Sequence, residues 1–231
     1  MIRNLIAAER RELAALLDGL SAEQWEAPSL CAGWTVRHVV AHLTMPFRYS
    51  TPRFVLELVK SGGRFQRMSD AVARRDAPMP TAQLIAAVRD NVEHPWKPPG
   101  GGFQGALTHD VIHSLDISVP LGIEHHFPAE AMRVVLDAVV TPAARRHFGA
   151  DVDGVELRAV DVGWSYGSGA PVAGLAQDLA LLLTGRRVRE GAFSGAGARG
   201  GAGAVRAAGA RGGAGARGGA GARGGPGSTP R

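Results

Sequence analysis

His109 and His113 stand four residues apart in His109-Asp-Val-Ile-His113. On a helix this spacing places both imidazoles on one face, at a separation that suits a single metal ion. Ordinary histidine pairs share the spacing, so a third ligand decides between the readings. His42 is the candidate. It lies in Val39-Val40-Ala41-His42-Leu43, an apolar helical stretch where an inward imidazole needs a metal or a hydrogen bond for each ring nitrogen. His38 competes from an adjacent strip. Asp116, three residues after His113, reaches the same face and would orient a ligand imidazole from behind. Asp110, about 100° round the helix from His109, points away from the pair. His109-Asp110-x-x-His113 therefore differs from the His-Glu-x-x-His of zinc peptidases, whose longer acid acts as the base.

The remaining reactive side chains carry blander expectations. Cys31 is read as a small apolar residue before a helix cap, and not as a nucleophile. His125 and His126 fall in a loop and are expected in solvent, with His94 and His147 structural or exposed. Arg48 and Arg53 are solvated surface or substrate contacts, as is the glycine loop 100–102.

The elements that must position these groups are mostly helical. Ile2, Leu5, Ile6, Leu13, Leu16, Leu17 and Leu20 recur at helical spacing, with Arg10, Arg11 and Glu12 between them. Ser21-Ala-Glu-Gln24 has the form of a capping box, and Thr35 caps a helix over 36–43 that Pro46 kinks or ends. Further helical stretches are 54–59, 81–91, 103–118 and 128–148, the last with a possible kink at Pro142. Val155, Leu157 and Ala159, then Val160, Val162 and Trp164, alternate as strands, and 172–183 returns to helix. Short connections favour an antiparallel four-helix bundle over 1–150, with a small extension over 151–194 of a β-hairpin plus a helix. The fold class is mainly α.

A net charge of +5 and a pI near 10.3 suggest a basic, nucleic-acid-binding protein. Six arginines and no acidic residue lie beyond residue 194, leaving 20 basic against 21 acidic residues before it. The basicity therefore belongs to a Gly-Ala-Arg-Gly-Gly repeat over 195–231, which has almost nothing to bury and is expected to be disordered. With no aromatic residue in that tail, nucleic-acid contacts there would be weak and salt-sensitive. One cysteine excludes a disulfide framework and suits the reducing cytoplasm. No apolar run reaches the roughly 20 residues of a membrane span, and the N-terminus lacks the apolar core of a secretory signal.

Three segments together resemble a known family. The run from Cys31-Ala-Gly-Trp to His42-Leu43 is similar to the N-terminal signature of mycothiol-dependent maleylpyruvate isomerase-like proteins, within the DinB-like metal-binding bundles. His113-Ser-Leu-Asp-Ile-Ser-Val-Pro-Leu-Gly122 resembles their second signature. Asp161-Val-Gly-Trp-Ser-Tyr-Gly-Ser-Gly169, with Thr184-Gly-Arg186, resembles their C-terminal part. The resemblance covers about 1–195. It implies a bundle holding one divalent metal, usually zinc, through His42, His109 and His113. The departure is at His109, where better-known isomerases carry Glu; three neutral imidazoles would leave the full 2+ charge on the metal. It further implies that the open metal position takes mycothiol as a thiolate, which adds to a small electrophilic substrate for isomerisation or S-transfer. The competing readings are a metal-dependent hydrolase on the same bundle, or a non-catalytic metal or small-molecule binding protein.

Overall fold

The computed structural model describes residues 1–198 and the backbone of 206–207. Four helices with covered apolar faces close a ring: α1 (Ile2–Asp18), α6 (Thr81–Arg89), α3 (Val36–Arg48) and α7 (Gly102–Leu121), each packed on the next, and α7 back on α1. This is the expected mainly α fold, a four-helix bundle. Leu13, Leu17, Val36, Val39, Val40 and Leu84 fill one part of its core, and Leu107, Val111 and Leu115 continue into the extension. Short α2 (Ala22–Glu26) opens with the expected capping box, Ser21 and Gln24 satisfying each other's backbone donors. Among the described residues no helix is long and apolar enough to cross a membrane.

Several local expectations are corrected. α3 passes through Pro46 and continues to Arg48. A proline at that position removes one helical donor, but the neighbouring Ala41 carbonyl still accepts from Arg48 Nη2 at 2.8 Å and the Val40 carbonyl from Thr44 Oγ1 at 2.8 Å. After α4 (Thr51–Lys60) comes a helix not read in the sequence, α5 (Phe65–Asp76). Its covered face is Met68, Ser69, Val72, Ala73 and Asp76, so two polar members dilute a pattern whose spacing is nevertheless helical. The expected helix 128–148 is two helices, α8 (Ala129–Val139) and α9 (Pro142–Phe148). Thr141 Oγ1 accepts from Ala144 N, and Pro142 takes the first helical position, which needs no donor.

The start of the last expected helix is a strand. Beside the short β1 (Ala150–Asp151), the chain forms β2 (Val155–Ala159), β3 (Trp164–Gly167) and β4 (Ala170–Gly174); α10 (Ala176–Leu183) follows. The sheet order is β3-β2-β4, with β3 antiparallel and β4 parallel to β2. To reach the far side of β2, the chain crosses its end within the turn after β3. A Cβ on Gly169 would lie 2.1 Å from the Gly154 carbonyl oxygen, and its φ is +125°. Gly169→Ala is therefore expected to destabilise the fold by about 3 kcal/mol, measured as a lower denaturant midpoint with unchanged slope. Leu157, Leu179 and Leu183 from this extension join the core with α8, which packs on α7.

Of the expected tail, Gly197 N donates to the Pro171 carbonyl, and Arg206–Ala207 (β5) pair with β1. The rest of the expectation for 195–231 lies outside the described residues.

Candidate metal centre

The ring of helices brings the three singled-out histidines together. His109 and His113 lie one turn apart on α7, and His42 faces them from α3. Ring centroids are 4.9 Å apart for His42 and His113, 4.8 Å for His109 and His113, and 5.2 Å for His42 and His109. One ligand nitrogen from each lies within 4.8 Å of the other two. Side-chain exposure is 17% at His109 and 12% at His113, so the cluster is largely but not wholly enclosed.

The outward nitrogens are all engaged. His42 Nδ1 is 2.9 Å from Ser69 Oγ, His109 Nδ1 is 3.1 Å from Asp110 Oδ1, and His113 Nδ1 is 2.9 Å from Asp116 Oδ2. A carboxylate only accepts, so Asp110 and Asp116 hold the proton on Nδ1 and leave the Nε2 lone pair free. His42 Nε2 and His109 Nε2 approach to 3.3 Å. Two lone pairs facing at that distance repel unless a cation or proton lies between them, and histidine bound to metal characteristically has its other nitrogen on a carboxylate. Burial, and then the neighbouring imidazole of His113, push the His42 pKa well below its usual value. Burial lowers His113 as well, against the pull of Asp116. Both are thus in the neutral form that ligates. The donor set fits one divalent cation.

Asp110 departs from its expected direction. It starts one residue round from His109, but its short side chain swings back to that imidazole while its other oxygen meets Arg10 Nε at 2.8 Å. The Cα direction does not fix where the carboxylate tip ends. Asp116 reaches His113 Nδ1 and is also held by Arg186, whose Nε and Nη2 donate to the two carboxylate oxygens at 3.1 and 3.0 Å. Burial alone would raise the Asp116 pKa, but Arg186 and His113 hold it below the usual carboxylate range.

Cys31 is not apolar filling. Its thiol donates to Asp116 Oδ2 at 3.1 Å, and Sγ lies 4.0 Å from His113 Nδ1. Burial, then the Asp116 charge, push its pKa up, so it stays a protonated thiol and not a nucleophile. Cys31, His113 and Asp116 form a second group of close donors. There the Arg186 fork already supplies the positive charge to both Asp116 oxygens, which disfavours a second cation.

The other histidines find separate partners. His38 folds back on Thr35, its Nδ1 2.8 Å from Thr35 Oγ1, and closes the start of α3. His94 accepts from Trp96 N at 3.2 Å. His125 is turned inward against expectation, its Nε2 3.1 Å from the buried Glu9 carboxylate; His126 is exposed as expected. Arg48 is not solvated surface, because it pairs with Asp76 at 2.7 Å. Arg53 stacks 3.9 Å over the Tyr49 ring. Trp34 abuts His42, and Trp96 sits edge-on to His109 with ring centroids 5.0 Å apart.

Ser69, Arg10, Arg186, Trp34 and Trp96 also belong to the site, and no sequence pattern assigns them to it except at Arg10. Arg10 had a readable signal, because it occupies the covered stripe Ile6, Arg10, Leu13, Leu17 of α1. An arginine on an apolar stripe implies a paired, buried charge. Nothing local distinguishes Arg186 from Arg187 or Arg189.

Residues 6–94 match the family model described as the mycothiol maleylpyruvate isomerase N-terminal domain. Among curated proteins, none matches the chain by sequence. Two solved structures share its fold, that of the mycothiol-dependent maleylpyruvate isomerase and that of a variant of this enzyme with one histidine replaced by alanine. They align with TM-scores of 0.52 and 0.51 at 12% and 11% identity, covering 84% of this chain and 91% of each of theirs.

Proposed function

From the match of residues 6–94 to the mycothiol maleylpyruvate isomerase N-terminal domain model, we propose that this chain is a metal-dependent enzyme that uses mycothiol. It would isomerise, or transfer sulfur to, a small electrophilic substrate. The observation that carries this reading is the convergence of His42, His109 and His113 with every Nδ1 engaged from outside.

A divalent metal such as zinc held there would acidify a bound thiol and present it as a nucleophile at neutral pH. The chain's own residues set the conditions for that chemistry. The three imidazoles bring no negative charge, so the full 2+ charge acts on an incoming group. Asp110 and Asp116 hold their imidazoles in one tautomer and orientation. Trp34 and Trp96 wall the cluster and limit water. Cys31 is committed to Asp116 as a donor, so the reacting sulfur is supplied by the cofactor. The reducing cytoplasm, where a free thiol persists, suits such a reaction.

Purified full-length protein is expected to hold about one equivalent of divalent metal, and His42→Ala to hold none. Titration of mycothiol into the metal-loaded protein is expected to release heat with one-site binding. Metal without mycothiol binding would redirect the reading to hydrolysis by bound water. Absence of stoichiometric metal after reconstitution would overturn the enzymatic reading.

A further inference from the structure

We infer that Arg10, on the N-terminal helix, is a positioning residue for the His109 ligand. The inference rests on the metal reading above. Arg10 is 1% exposed, and its Nε donates to Asp110 Oδ2 at 2.8 Å while Asp110 Oδ1 meets His109 Nδ1 at 3.1 Å. Its Nη1 donates to the Asn91 carbonyl at 3.2 Å and the His94 carbonyl at 2.9 Å. The guanidinium lies 4.8 Å from the centre of the Phe47 ring, which in turn packs on His94. One side chain therefore grips both supports of His109. It fixes the carboxylate behind the imidazole, and it ties down the loop that carries Trp96 edge-on to the same imidazole.

Stability alone does not explain this arrangement. Burying an arginine and a carboxylate recovers little against a well-packed apolar pair of the same volume. Here Arg10 Nη2 is also buried without a hydrogen-bond partner, which adds cost. What the planar fork does, and an apolar side chain would not, is hold two separate segments in fixed register with one imidazole. At 3.1 Å the bond from His109 to Asp110 is the longest of the three outward bonds. A carboxylate one residue from its histidine, with no other anchor, would be free to rotate away.

The test compares Co2+ affinity and the visible d–d spectrum of wild type, Arg10→Met, Arg10→Lys and Arg37→Met, with thermal unfolding of each metal-free protein. Arg37 is a matched control. It joins Glu26 at 2.7 Å and donates to the Ala77 and Met79 carbonyls at 3.1 and 2.8 Å, with no contact to the three histidines. Arg10→Met is expected to weaken Co2+ binding about 10- to 100-fold and to shift the d–d band, with Arg10→Lys recovering part of both. Arg37→Met is expected to leave affinity and spectrum at wild-type values, even where it lowers the melting temperature. Wild-type Co2+ affinity and spectrum in folded Arg10→Met, or equal losses in Arg37→Met, overturn the inference. Should Arg10→Met fail to fold, Asp110→Asn carries the same expectation, and unchanged affinity there overturns it equally. A wild type that binds no Co2+ removes the metal reading itself, a result distinct from a bound metal indifferent to Arg10.

Discussion

Alanine at His113 is expected to abolish stoichiometric metal loading and with it any thiol-dependent activity. Among the described residues, three side chains converge on the centre, so each carries a large share of the affinity. Structural zinc sites with four ligands reach roughly 10–16 kcal/mol, about 3 kcal/mol per ligand. Losing one ligand thus weakens binding about a hundredfold. His113 should cost more than this average. It shares one turn of α7 with His109, and it is the link between the centre and the Asp116–Arg186 pair. The fold should survive, because Asp116 keeps both bonds to Arg186 and the thiol of Cys31. The measurement is metal content by elemental analysis alongside the melting temperature of the metal-free protein. A His113→Ala protein that retains a full equivalent of metal would show that the three histidines are not its ligands.

The parts of this site that could be read from sequence are those set by local periodicity. His109 and His113 share a face because a helix repeats every 3.6 residues, and no tertiary information is needed to say so. His42 was readable as a polar group on an apolar stripe, which must be satisfied somehow. The supports behind these ligands depend on chain pairs 70 and 100 residues apart, Asp116 with Arg186 and Arg10 with Asp110. No spacing rule reaches across such distances. Cys31 failed for the same reason: its role depends on Asp116, which only the packed bundle brings within 3.1 Å. In the fold, helix existence followed from apolar spacing in α1, α3 and α7. Polar members of a buried face hid α5, and β4 was hidden because Val172 lies in a short apolar run that fits strand and helix alike.

Arg186→Met is expected to destabilise the protein by about 3–5 kcal/mol at neutral pH, the usual result of leaving one member of a buried ion pair without its partner. That is a large fraction of the roughly 5–15 kcal/mol that holds a domain folded. Asp116 is fully enclosed, and its ionised form survives there because Arg186 bonds both oxygens and His113 donates to one. The pH dependence separates this cause from lost packing. In the wild type the Asp116 pKa is held below its unfolded value of about 3.9. Its contribution is therefore complete above that pH and is lost only as pH falls further, through the depressed folded value. Without the guanidinium, burial becomes the dominant influence and raises the folded pKa, so protonation relieves the variant earlier. The stability gap between wild type and Arg186→Met should narrow as pH drops from 7 toward 4, followed by chemical denaturation of the metal-free proteins. Loss of aliphatic packing would instead give a gap independent of pH. Arg187→Met, an exposed neighbour on the same segment, should stay within about 0.5 kcal/mol of wild type throughout. A constant gap, or equal effects at the two arginines, would mean that Asp116 does not depend on Arg186 for its charge.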